Sequence, residues 1–205
     1  MYSYEPKDGH GLAYDPFKAI IAPRPIGWIS TVDADGRPNL GPYSFFAGIS
    51  GNPPIIAFSS EGPKDSASNA EATGEFVFNL ATLPLAHQMN ASSATVEHGV
   101  NEFKLAGLTE APSRIVKAPR VAETPASMEC KVLQVIRLKD LEGKETSRIV
   151  VFGQVVAVHI DERYLKDGYF DTAAAQPLAR CGYRDYAAVT EVFPLVRPDE
   201  AAAAQ

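Results

Sequence analysis

The sequence has only two cysteines, Cys130 and Cys181, in no paired spacing, so neither a disulfide scaffold nor a thiolate metal cluster can be built from them. No apolar run reaches the roughly 18 residues that a membrane helix needs. Met1 to Leu12 (MYSYEPKDGHGL) also has no basic segment leading into an apolar one, which sets the expectation of a cytoplasmic protein with no membrane partner. Cations are in short supply too: 19 Lys and Arg stand against 25 Asp and Glu, a net charge of −6, leaving no excess to track a nucleic-acid backbone. Missing as well are a G-x-G-x-x-G after a first strand, a Walker loop, H-E-x-x-H and G-x-S-x-G. A Rossmann dehydrogenase, a P-loop NTPase, a zincin and an α/β-hydrolase are thereby disfavoured. No repeat of 20 to 50 residues recurs, so the chain is not a solenoid or propeller.

What the sequence does have is strand and turn chemistry. Its 15 Gly and 16 Pro fall between short segments rich in Val, Ile, Phe and Thr. Ile26 to Val32 (IGWISTV) reads as a strand, Asp33 to Gly36 as its turn, and Pro38 to Ser44 as the return strand. Further strands are expected at Ile55 to Ser60 and Glu75 to Leu80. Asp65 to Thr73 reads as a short helix between them, with Asp65 or Ser66 as its cap and Gly74 as its stop. Leu83 to Ser93 reads as helical, and Thr109 to Thr124, with its prolines, as an ordered loop. Two long strands follow, from Met128 to Leu138 and from Arg148 to Ile160, the second apolar on both faces. A last strand is expected near Ala187 to Leu195, and a frayed tail at Ala201 to Gln205. Six or seven strands with two or three short helices predict a mainly β chain with attached short helices, one domain over residues 1–205 with its core at about 16–198.

Candidate chemistry concentrates between Pro23 and Asn79. Ser30, Thr31, Ser44, Ser59 and Ser60 stand at strand ends, and Lys64, Asp65 and Ser66 open a helix. A helix N-terminus offers unpaired N–H groups and partial positive charge, and Lys64 adds a full one, so the group suits a phosphate monoester. Any one of these serines alone is ordinary turn or cap chemistry. Trp28, Phe45, Phe46 and Phe58 offer faces for a flat ring, although a single strand aromatic is as readily core. His159 and Asp161 share one side of a strand and could seed a metal site, but no third ligand stands nearby, and no metal is expected.

Taken in order, PRPIGWIST (Pro23 to Thr31), NLGPYSFF (Asn39 to Phe46), PPIIAFSS (Pro53 to Ser60), KDSASN (Lys64 to Asn69) and GEFVFNL (Gly74 to Leu80) resemble the flavin reductase-like, FMN-binding split β-barrel family. This group includes flavoredoxins and the reductase components of two-component monooxygenases. NEFKLAGL, GQVVAVHID and LARCGYRDY continue the likeness, which spans roughly Pro16 to Pro198. The resemblance implies a homodimer with FMN at its interface. It places Ser30 and Thr31 near the ribityl chain or ring edge, Ser44 and Phe45 near the ring, and Ser59, Ser60, Lys64, Asp65 and Ser66 near the phosphate. It also brings His159 and the loop Arg180 to Tyr186 toward the ring from the other side. Many relatives carry Gly-Gly where this chain has Gly182-Tyr183.

By the same resemblance, the chain is an oxidoreductase in which NADH or NADPH reduces FMN, and the reduced flavin or its electrons pass to a partner monooxygenase or redox protein. Hydride transfer is the cofactor's own reaction, so no obligatory acid or base is implied. His159 is the one candidate catalytic group, as a donor to the flavin or a polariser of substrate. Two further readings stand beside this one: an FMN-carrying electron-transfer protein without its own nicotinamide site, and a flavin-free structural relative.

Overall fold

In the computed structural model the described residues are 1–198, so the expected tail at 201–205 lies outside them. Strand takes up 40% of the chain and helix 19%, which makes the molecule mainly β with short helices attached. Seven strands form one antiparallel sheet: β1 (Gly27–Val32), β2 (Pro38–Tyr43), β3 (Phe46–Gly51), β4 (Pro54–Glu61), β5 (Glu75–Leu80), β6 (Ala126–Lys139) and β7 (Glu145–Ile160). Their spatial order is β2-β1-β5-β6-β7-β4-β3. The sheet rolls up because its two ends share an aromatic interior: the Tyr43 ring of β2 lies 5.0 Å from Phe58 of β4, and Phe46 of β3 stacks at 4.9 Å on Phe78 of β5. Gly27 makes that stack possible, since a Cβ there would come 2.5 Å from a Phe46 ring carbon.

Alternation sends successive side chains of β1 to two different cores. Ile29 joins the barrel interior with Ile56, Phe58, Phe76, Phe78 and Val151, and the helix α1 (Asp65–Thr73) caps that interior with Ala67 and Ala70. Trp28 instead joins Leu40, Met89, Phe103 and Val121 in a second core. This core lies under the helices α2 (Ala86–Ala91) and α3 (Glu102–Leu105). α1 ends as expected at Gly74, left-handed at φ 72°, but its N-cap is Lys64, whose side chain makes no capping bond.

The loop before β6 is ordered by buried carboxylates. Glu129 accepts from the N–H groups of Arg114, Ile115 and Val116 at 2.6, 2.6 and 2.9 Å, and Glu75 accepts from the Lys117 N–H at 2.5 Å. Two strands differ from the sequence reading. β3 has no counterpart in the sequence reading, because FAGISG lacks the branched and charged alternation of an edge strand. The last strand shrinks to Tyr186–Ala188, and beyond it Val192, Phe193 and Leu195 stand exposed with Pro194 unable to donate to a ladder.

Candidate functional site

A trough runs along the outer side of β2 and over the turn into β3. At one end is a cleft of about 230 Å3 between Asn39 to Tyr43, the opening of α1 at Lys64, Asp65 and Ser66, and the loop Ser92 to Val96. Pro42 and Ser93 also line a second recess, of about 280 Å3, with Lys18, Arg24, Ser44, Arg180, Tyr183 and Tyr186. Arg24 and Ser44 in turn line a third, apolar recess of about 260 Å3 with Phe45, Phe46, Phe58, Ser59 and Val150. The three recesses are neighbours that share these lining residues.

The α1 end suits an anion. As first residues of a nine-residue helix, Asp65 and Ser66 have N–H groups with no intrahelical acceptor, and the Lys64 side chain stands exposed beside them. Ser66 is held in place because Asn39 Nδ2 donates to its Oγ at 2.8 Å. Two carboxyls share this cleft. Asp65 pairs with His98, whose Nδ1 lies 3.0 Å from its Oδ1. Glu102 is buried, which pushes its pKa up against the pull of the Leu40 N–H that it accepts at 3.0 Å, so it carries its charge less readily than a free carboxyl.

The far end is cationic and aromatic. Two guanidiniums approach the Phe45 ring, Arg24 at 5.8 Å and Arg148 at 5.5 Å from its centroid. The Arg180 guanidinium lies 4.4 Å over Tyr186, and its Nη2 donates to the Tyr183 carbonyl at 2.6 Å.

The trough thus gathers Ser44, Phe45, Ser59, Lys64, Asp65, Ser66 and Arg180 from the residues singled out in the sequence. Ser60 is fully buried, its hydroxyl donating to the Gly62 carbonyl at 2.9 Å. Trp28, Ser30 and Thr31 are not brought to the surface. Trp28 Nε1 donates to Ser92 Oγ at 2.9 Å, Ser30 Oγ donates to the Pro119 carbonyl at 2.5 Å, and Thr31 Oγ1 accepts from Asn39 and Asn69 at 3.1 and 3.2 Å. Trp28 and Thr31 thus sit behind Ser92 and Asn39, which line the α1 end, while Ser30 turns away from the trough toward Pro119.

His159 faces a separate recess with Arg120, Thr124, Ser127 and Asp161. Its Nε2 lies 2.6 Å from Glu129 Oε1. Burial would raise Glu129, but the three loop N–H groups and His159 hold its pKa down to about 2. Asp161 is taken up by Arg163 at 2.5 Å, so it and His159 have separate partners. The sequence reading did not single out Lys18, Arg24, Asn39, Glu102 or the loop Ser92 to Val96. Arg24 carried one signal, as the lone charge of a Pro-Arg-Pro run.

The family model of the flavin reductase like domain matches residues 21–178. An uncharacterized protein of Halalkalibacterium halodurans is 34% identical over 183 residues, 87% of each chain. Among solved structures, nitrilotriacetate monooxygenase component B from Bacillus cereus superposes with a TM-score of 0.86 at 29% identity, over 95% of this chain and 98% of that one. The flavoredoxin of Desulfovibrio vulgaris (Miyazaki F) shares the fold with a TM-score of 0.76 at 24% identity, over 88% of this chain and 93% of that one.

Proposed function

The chain belongs to the flavin reductase like family, and on that premise we propose that it is an FMN-dependent oxidoreductase, reduced by NADH or NADPH and passing reduced flavin or electrons to a partner oxygenase or redox protein. The observation that carries this reading is the trough itself, whose α1 end suits a phosphate and whose other end offers aromatic and cationic walls. Its residues fit the group. Lys64, Ser66 and the first N–H groups of α1 would hold the phosphate, Asn39 to Pro42 would flank the ribityl chain, and Ser44, Phe45, Arg24 and Arg180 would surround the ring.

When bound, FMN would supply the hydride acceptor. The chain's own part is to bind, orient and exclude water. Asn39 orients Ser66, the Phe46 and Phe78 stack fixes the turn that presents Ser44 and Phe45, and the loop Ser92 to Val96 covers the α1 end. No side chain is required to move a proton. His159, held by Glu129, would serve as a donor to a ligand entering its own recess.

We place the site in a homodimer, supported by the strand β7 and the exposed apolar residues Val158 and Ile160 at its end. The component B relative, which its name makes part of a monooxygenase, supports a partner oxygenase here. The experiment is a steady-state assay of NADH and NADPH consumption with FMN, run beside the absorbance spectrum of the purified protein. Turnover with either nucleotide supports the reductase. Copurified flavin that only a protein donor reduces would instead make the chain an electron carrier.

A further inference from the structure

The recess that holds His159, of about 400 Å3, shares no lining residue with the trough. Its polar side chains are Arg120, Thr124, Ser127, His159 and Asp161. Val158 and Ile160, assigned above to the dimer contact, line it too, so the recess borders that contact.

Ser127 of β6 is the register partner of His159 on β7 and of Asn79 on β5. Both neighbours are committed elsewhere. Asn79 donates to the Trp28 carbonyl and to Ser30 Oγ and accepts from the Val121 N–H, while His159 Nε2 meets Glu129. Ser127 is 1% exposed, and its hydroxyl has no hydrogen-bond partner among the described residues. A buried hydroxyl left unpaired costs free energy, so an incoming ligand that pairs with it gains what the fold has left unused.

The surrounding charges narrow what that ligand is. Glu129 is ionised and takes the proton on His159 Nε2, which leaves Nδ1 as the ring nitrogen free for the recess. As a donor there, His159 is an imidazolium matched by the Glu129 carboxylate. Asp161 is matched in the same way by Arg163. Arg120 spends its Nε and Nη2 on the Pro112 carbonyl at 3.2 and 3.1 Å, so its Nη1 has no acceptor and its charge no carboxylate among the described residues. One positive charge is thus left over, with three donors around it.

We propose that this recess binds the carboxylate of a small organic acid, whose two oxygens accept from Arg120 Nη1, the Ser127 hydroxyl and His159 Nδ1. A carboxylate supplies one negative charge and two acceptor oxygens, whereas a phosphate dianion would bring a charge that nothing here matches.

The test is titration calorimetry of the purified protein with benzoate, repeated at saturating FMN. The parent should bind benzoate, and FMN in its separate trough should leave that constant within about twofold. Ser127→Ala removes a hydroxyl that no protein group uses, so the ligand-free variant should melt no lower than the parent while benzoate weakens about tenfold. Arg120→Gln should weaken benzoate about tenfold or more, and Arg120→Lys, which keeps the charge, should lose less. A parent that does not bind benzoate, a Ser127→Ala variant that binds it as the parent does, benzoate displaced by FMN, or inorganic phosphate bound more tightly than benzoate would each overturn the proposal. Benzoate bound by a parent that does not bind FMN would support this recess and overturn only the FMN reading.

Discussion

Asn39 Nδ2 lies 2.8 Å from Ser66 Oγ and 3.1 Å from Thr31 Oγ1, so one buried amide ties the edge strand β2 both to the opening of α1 and to β1. Asn39→Ala frees Ser66 and leaves Thr31 with one donor fewer. Unfolding free energy should fall by about 1 to 3 kcal/mol, and FMN affinity by about tenfold, with a smaller loss for riboflavin, which shares the ribityl chain but has no phosphate for Ser66 to meet. Denaturant titration and flavin fluorescence quenching check the two effects separately.

Gly27 faces the Phe46 ring where a Cβ would approach two ring carbons at 2.5 and 2.8 Å. Gly27→Ala must push Phe46 off Phe78 and tilt the turn that carries Ser44 and Phe45. The expected loss is about 2 kcal/mol in urea unfolding, with weakened binding of both FMN and riboflavin, because the ring end moves and the phosphate end does not.

Glu129 gives the stability a defined acid limb. Its carboxyl sits at about 2 in the folded protein against an ordinary 4.5. A folded pKa below the unfolded one adds stability above about pH 4.5, and that contribution, about 3 kcal/mol, is lost as the pH falls from 4.5 toward 2. Glu129→Gln should be less stable than the parent at pH 7 and should approach it near pH 2 to 3. Denaturation midpoints measured across that range test the sign.

The hairpin of β1 and β2, the helix α1, and the long strands β6 and β7 were legible in the sequence because turn residues and alternation mark them locally. β3 was not, since Phe46 to Gly51 is a strand only through pairing with β4 and stacking on Phe78. Hydroxyls at strand ends pointed to the trough, but sequence cannot say which way a strand residue faces. Ser44 and Ser59 line it, while Ser30 and Thr31 turn inward to Pro119 and Asn39. Arg24 escaped notice because its burial and its hold on the Lys18 and Cys181 carbonyls are facts of three-dimensional packing.

In the reading proposed here, the trough holds FMN with its phosphate at the opening of α1. Lys64 is exposed beside that opening, so Lys64→Ala should leave the stability of the protein nearly unchanged. Losing one charge-assisted contact of about 1.5 to 3 kcal/mol should weaken FMN ten- to a hundredfold. Riboflavin, which has no phosphate, should bind the variant as it binds the parent. The measurement is a paired titration of parent and Lys64→Ala with FMN and riboflavin, followed by flavin fluorescence quenching. The ratio of FMN to riboflavin affinity is expected to collapse in the variant. An unchanged FMN constant, or an equal loss for both flavins, would contradict it.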